Sequence, residues 1–167
     1  KNIFIYRYIY IVNHMSLNHV DLFFKKYENV VNKDFLLLLK NNIYVTEKND
    51  IGHSIFILKN FVPGKINKAL REIFIEYILC IIRESLNVSK KYDKKTVYAH
   101  IYLHGCSNKN FSMKLFRNIN KLLAETFEDT VEYIYIYSDS LLFKNIWKII
   151  RNFIDNDTRK KINLIHN

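Results

Sequence analysis

From Val131 to Tyr137 the chain reads Val-Glu-Tyr-Ile-Tyr-Ile-Tyr, and beyond Glu132 neither face of that run is polar. A strand with two apolar faces is expected where a sheet is covered on both sides, as parallel sheets are by their crossover helices. The run therefore calls for partner strands and helices elsewhere. Val97, Ala99, Ile101 and Leu103 alternate with Tyr98, His100 and Tyr102, which predicts a strand over residues 96–103. Strands over 43–45 and 54–58 are joined through the polar turn at 47–52, and 162–165 supplies a last one.

Between these strands the period changes. Leu17, Val20, Phe23, Phe24 and Tyr27 recur at three and four residues, predicting a helix over 16–27 with Ser16 as its N-cap. A short helix over 34–40 follows, then a long one over 65–86 whose apolar residues crowd more than half its circumference. Two amphipathic helices are expected over 112–127 and 141–153. Only 3 Gly and 1 Pro stand against 12 Tyr and 12 Phe, so turns are few and elements long. Strands alternating with such helices predict an α/β fold with a mostly parallel sheet, flanking helices and right-handed crossovers. Ligands in such sheets sit at the carboxyl ends of the strands, here 104–107 and 138–140.

A length of 167 residues suits one compact domain. The net charge of +10 favours anionic partners, either nucleic acid or the acidic cytoplasmic face of a membrane. Cys80 and Cys106 make no disulfide framework, and no cleavable signal pattern is visible, so a cytoplasmic location is expected. The opening run 3–12 is apolar and aromatic, but Arg7 interrupts it and it is too short to span a bilayer. Opening on Lys1 with no Met before Met15, the chain reads as a fragment or a trimmed form.

The helix over 141–153 has two chemically distinct sides. Leu142, Phe143, Ile146, Ile149, Ile150 and Phe153 share one, Lys144, Lys148 and Arg151 stand on another, and Trp147 lies between. This suits an element lying against lipid headgroups, and equally a packed surface helix with solvated lysines. His100 and His104, about 13 Å apart along a strand, cannot share a zinc ion. Cys106 could act as a nucleophile, but the Gly-x-Ser-x-Gly elbow and a phosphate-binding Arg are both absent around it. Gly52, Gly64 and Gly105 are isolated, so no phosphate loop exists. Tyr133, Tyr135 and Tyr137 invite a base-stacking reading, which sheet burial explains better. The clusters Lys90/Lys91/Lys94/Lys95 and Arg159/Lys160/Lys161 read first as solvated charge.

Several strings resemble the CRAL-TRIO lipid-binding domain, the family of phosphatidylinositol/phosphatidylcholine transfer proteins, tocopherol transfer protein and retinaldehyde-binding protein. Tyr133 to Ser140 is similar to the family's strand ending in Asn-Ala-Pro, and Phe143 and Trp147 to its helix with Phe and Trp. Phe153-Ile154-Asp155 with Thr158-Arg159-Lys160-Lys161-Ile162 resembles its Phe-Leu-x-x-x-Thr-x-x-Lys-Ile ending. Asn49 to Ile55 is similar to its Asp-x-x-Gly-Arg-Pro-Val turn, and Leu103 to Ser107 to its Asp-Leu-x-Gly-x-Ser. The resemblance covers about residues 42–165. Ser138 and Ser140 stand where the family has Asn and Pro, Tyr102 where it has a strand-end Asp, and Ser54 where it has Pro.

The resemblance implies residues 42–167 as the lipid-binding domain and 1–41 as a reduced N-terminal helical segment. It implies a hydrophobic cavity floored by the sheet, with Val97, Ala99 and Ile101 among its lining, and closed by a gate helix carrying Phe143, Trp147 and Ile150. Lys144, Lys148 and Arg151 then face the membrane. Asp129, Thr158 and Lys161 match the positions that hold an inositol phosphate headgroup, by carboxylate, hydroxyl and charge. Val97 and Ala99 replace the hydroxyl side chains that hold phosphocholine in some members. The implied protein is a cytoplasmic, transiently membrane-bound monomer that carries a phosphatidylinositol or phosphoinositide. It is not an enzyme, and needs no cofactor, metal or nucleic acid. The alternatives are a degenerate interaction module that transfers no lipid and, more remotely, a cysteine-dependent enzyme at Cys106.

Overall fold

The strands lie in the sheet in chain order, β1 (Ile43–Lys48), β2 (Ile51–Ile57), β3 (Val97–Tyr102), β4 (Val131–Tyr137) and β5 (Ile162–Ile165). In this computed structural model the described residues are 18–138 and 141–165. The pair β1 and β2 is antiparallel, closed by Asn49 and Asp50, both at positive φ (54° and 62°). That is the backbone a two-residue hairpin turn needs to match strand twist, and short polar side chains tolerate it. The pairs β2–β3, β3–β4 and β4–β5 are parallel.

Two helices, α1 (His19–Tyr27) and α2 (Lys33–Asn42), precede the sheet; α3 (Lys68–Lys90), α4 (Met113–Thr126), α5 (Leu141–Ile150) and the short α6 (Asn156–Lys160) connect its strands. Asn18 caps α1 by accepting from the Asp21 N–H at 2.9 Å; the expected cap Ser16 lies outside the described residues. The long helix starts later than its apolar pattern does, because Asn67 caps it through Leu70 N and Pro63–Lys65 forms a separate 3-10 turn. Each parallel step moves to the same neighbouring side. With crossovers of one hand, all connecting helices then fall on one face of the sheet. The described helices bury Phe23, Phe35, Leu39, Phe74, Tyr77, Ile81 and Leu115 in one cluster with Ile43, Phe56, Val97 and Ala99 from that face.

On this side α3 approaches β2 very closely at one point. A Cβ on Gly52 would lie 1.9 Å from the Ser85 carbonyl oxygen. The contact is laced by hydrogen bonds: Gly52 N–H donates to Ser89 Oγ at 2.8 Å, and the Ser54 and Ser85 hydroxyls bond each other at 2.7 Å. All three serines are fully buried.

The opposite face departs from expectation. Val131–Tyr137 was expected to be covered on both sides, yet Tyr133 is 39% exposed and no described helix packs on its face. Cross-strand rings cover each other instead: Tyr98 with Tyr133, His100 with Tyr135 (centroids 5.1 Å apart) and Tyr102 with Tyr137 (4.4 Å). His100 pairs with His53, not with His104. The Lys48 carbonyl can only accept, so His53 carries its proton on Nε2, 3.2 Å away, and Nδ1 accepts from His100 Nε2–H at 2.7 Å. His100 Nδ1 in turn accepts from the Tyr137 hydroxyl at 2.9 Å. This one-way chain holds both imidazoles neutral, and burial pushes the His100 pKa down to about 4 and lowers that of His53.

Two outcomes follow. Gly52→Ala must push the α3 backbone off β2, and we expect a loss of about 1–3 kcal/mol or more in denaturant unfolding. The unfolded histidines, with ordinary pKa values near 6.5, take up protons before the folded ones do. Stability therefore falls as pH drops from about 6.5 to about 5, above the range where Glu76 and Asp155, whose pKa values are lowered, begin to titrate. His100→Gln, which takes no proton, should flatten that slope in unfolding measured across the same window.

Candidate functional site

Away from the Gly52–Ser85 contact, the helices and the sheet separate and enclose a cavity of about 280 Å³. Phe56, Ala99, Ile101, Ile134, Ile136 and Ile162 form its floor, on the sheet face that alternation directs toward the helices. Phe74, Ile78 and Ile82 of α3 and Leu115, Ile119 and Leu123 of α4 form its walls. The roof is α5. Its side chains at helical spacing, Phe143, Ile146, Trp147 and Ile150, all line the cavity, and the Phe143 and Trp147 rings stack with centroids 5.9 Å apart.

Among the described residues no charged side chain lines the space. Its polar side chains include several that are bound to the protein itself. Asn110 Nδ2 donates to the carbonyls of Lys59 and Phe61, both at 2.9 Å, and its Oδ1 accepts from Ser107 N–H. Ser112 caps α4 by accepting from Leu115 N–H. Asn120 Nδ2 donates to the Phe153 carbonyl, and the Thr158 hydroxyl donates to Asp155 at 2.6 Å. These groups fix loops and helix ends, so what the described lining offers a ligand is mainly apolar contact.

The residues singled out from sequence are distributed as follows. Ala99, Ile101, Phe143, Trp147, Ile150 and Thr158 line the cavity. Val97 does not: it is fully buried beside Gly52, its partner in the β2–β3 register, where the approach of α3 leaves no space. Lys144, Lys148 and Arg151 are exposed on the outside of the roof. Ile149 and Phe153, expected on the apolar side, are instead exposed. Ile149 lies past the edge of the inward stripe, and the 3-10 turn Arg151–Phe153 changes the period before Phe153. The side chain of Leu142 lies outside the described residues.

Asp129 and Lys161 do meet. Lys161 Nζ lies 3.5 Å from Asp129 Oδ1, with side chains 30% and 92% exposed, at the loop before β4 and the start of β5. Thr158 is one turn earlier, on the cavity side. Cys106, Ser107 and Ser138, at the carboxyl ends of β3 and β4, also line the cavity. The wall residues of α3 and α4 escaped the sequence reading of the site, although their amphipathic spacing was visible; the role of Asn110 left no sequence signal. Among the described residues no helix is long and apolar enough to cross a membrane.

The fold has a known counterpart. The solved structure of Sfh5 superposes with a TM-score of 0.65 at 16% identity, over 83% of this chain and 52% of that one. This chain thus spans about half of that protein's length, and at such identity the likeness is one of fold. No curated protein matches by sequence. The family model of the CRAL/TRIO domain matches residues 39–167. By that match, which takes in the whole sheet, the cavity floor and the roof helix, the chain belongs to the CRAL/TRIO family of lipid-binding domains.

Proposed function

We propose that this chain takes one phosphoinositide or a similar amphiphile into the cavity and exchanges it at an anionic membrane. The observation that carries this reading is the roof: α5 rests four apolar side chains on a cavity and presents Lys144, Lys148 and Arg151 outward. In this reading an acyl chain enters the cavity of about 280 Å³ beneath the four apolar side chains of α5, which moves outward to admit it. Each methylene buried contributes about 0.8 kcal/mol. In this reading the Asp129–Lys161 pair receives the headgroup at the rim, with Lys161 turning from carboxylate to phosphate and Asp129 accepting from an inositol hydroxyl. Thr158, bonded to Asp155, marks where the rim meets the cavity.

The protein is then a cytoplasmic monomer that visits membranes transiently, carries out no chemistry and needs no cofactor. Native mass spectrometry of the purified chain should find one lipid bound, and vesicle assays should find phosphatidylinositol transferred. Ala99→Trp, which fills the floor, should abolish uptake. Lys161→Ala should lower the preference for phosphatidylinositol over phosphatidylcholine by about three- to tenfold, the size expected for one charged contact at an exposed rim. A folded chain that neither carries nor takes up any lipid would overturn the reading.

A further inference from the structure

Phe153 ends the 3-10 turn that continues the roof, and α4 holds it twice. Arg117 lays its guanidinium 4.0 Å from the ring centroid, and Asn120 Nδ2 donates to the Phe153 carbonyl at 3.4 Å. The two donors stand one turn apart on α4, so a single helix face grips one residue by ring and by backbone. Phe153 is 42% exposed, so burial alone does not fix it. Ile150 and Ile154 on either side of it are buried beneath the roof, and the hold on Phe153 adds an outer tie between the roof's far end and the wall.

Arg117 is exposed, flanked on α4 by exposed Lys114 and Lys121, and among the described residues no carboxylate pairs with it. Lys144, Lys148 and Arg151 continue the positive charge across the roof. A phosphate offers a guanidinium two charged hydrogen bonds in fork geometry, which an aromatic face cannot match. We propose that Arg117 and Asn120 are positioning residues that clasp the roof shut through Phe153, and that phosphates of an anionic membrane open it by drawing Arg117 away. This deepens the lipid-exchange reading and rests on it, but the clasp itself is readable without any lipid.

Amide hydrogen exchange of the full chain in solution reads the clasp. Arg117→Met and Asn120→Ala should each speed exchange of the α5 amides by about three- to tenfold, the scale of one exposed cation–ring contact or hydrogen bond. The α3 amides should be unchanged, which also reports that the variants fold. Arg117→Lys should recover part of the protection, and Arg117→Met should add nothing in a Phe153→Leu background. Unchanged α5 protection in Arg117→Met, or equal effects with and without the Phe153 ring, overturns the clasp. Release of a fluorescent lipid to phosphatidylcholine vesicles, with and without phosphatidylserine, reads the trigger. The unaltered chain should release faster to the anionic vesicles and Arg117→Met fast to both; an Arg117→Met chain with the unaltered chain's dependence on phosphatidylserine overturns it. A chain that loads no lipid refutes the exchange reading, while the solution experiment still decides the clasp.

Discussion

Parallel strands that always step to the same side, through crossovers of constant hand, place every connecting helix on one face of the sheet. This chain takes that course from β2 to β5. The helices α3, α4, α5 and α6 must then cover one surface, while the other has no crossover to cover it. The two faces solve the problem differently. On the helix side the Gly52–Ser85 contact draws the α3 backbone onto β2, and α3 and α4 fill the space beside it. What remains beneath α5 is the cavity. On the far side the chain uses rings that stack across strands and hydrogen-bond through His53, His100 and Tyr137, so half-wet aromatic residues do the work of a second helical layer.

The polar chemistry is sorted with equal consequence. Asn110, Ser112, Asn120 and Thr158 all border the cavity, and each is bound within the protein. An unpaired polar group there would penalise an apolar ligand; a buried charge would penalise it more. Among the described residues charge is kept at the rim and on the outer surface, where water screens it. In the proposed reading the interior selects for shape and apolar length, and selection of a headgroup falls to Asp129 and Lys161, which pair at 3.5 Å outside it.

Much of this was legible in the sequence, for reasons that also explain where legibility ended. Alternation located β3 and β4 and set Ala99 and Ile101 on one face, and helical spacing set Phe143 and Ile150 on one side, because both periods are local. That this face floors a cavity and that Phe143, Trp147 and Ile150 roof it came from the CRAL-TRIO resemblance. Val97 shares the face of Ala99 but not its surroundings, since its cover depends on a glycine in another strand meeting a serine in a distant helix. The Tyr-Ile-Tyr-Ile-Tyr run was misread as doubly buried because tyrosine counts as apolar in a pattern, yet its ring tolerates water at one edge. The C-terminal end of α3 was misplaced where a tertiary bond marks it: the helix runs on to Ser89, which reaches Gly52, beyond the last strongly apolar turn. Arg117 and Phe153 lie in different elements, and nothing in either string announces the other.

In the proposed exchange the same sorting gives the motion to α5 and not to α3. Lifting α3 would break the Ser54–Ser85 and Gly52–Ser89 hydrogen bonds, at a cost of about 1–3 kcal/mol for each group that stays buried without a partner. Lifting α5 separates Phe143, Ile146, Trp147 and Ile150 from a space that holds few atoms, and an incoming acyl chain supplies the apolar contacts that the move gives up. The roof can therefore exchange one set of apolar neighbours for another at nearly constant burial, whereas the pinched side cannot. A fold held rigidly along one edge of its cavity and lightly along the other admits a hydrophobic guest without loosening its core, because the strands beneath the guest stay tied to α3 throughout.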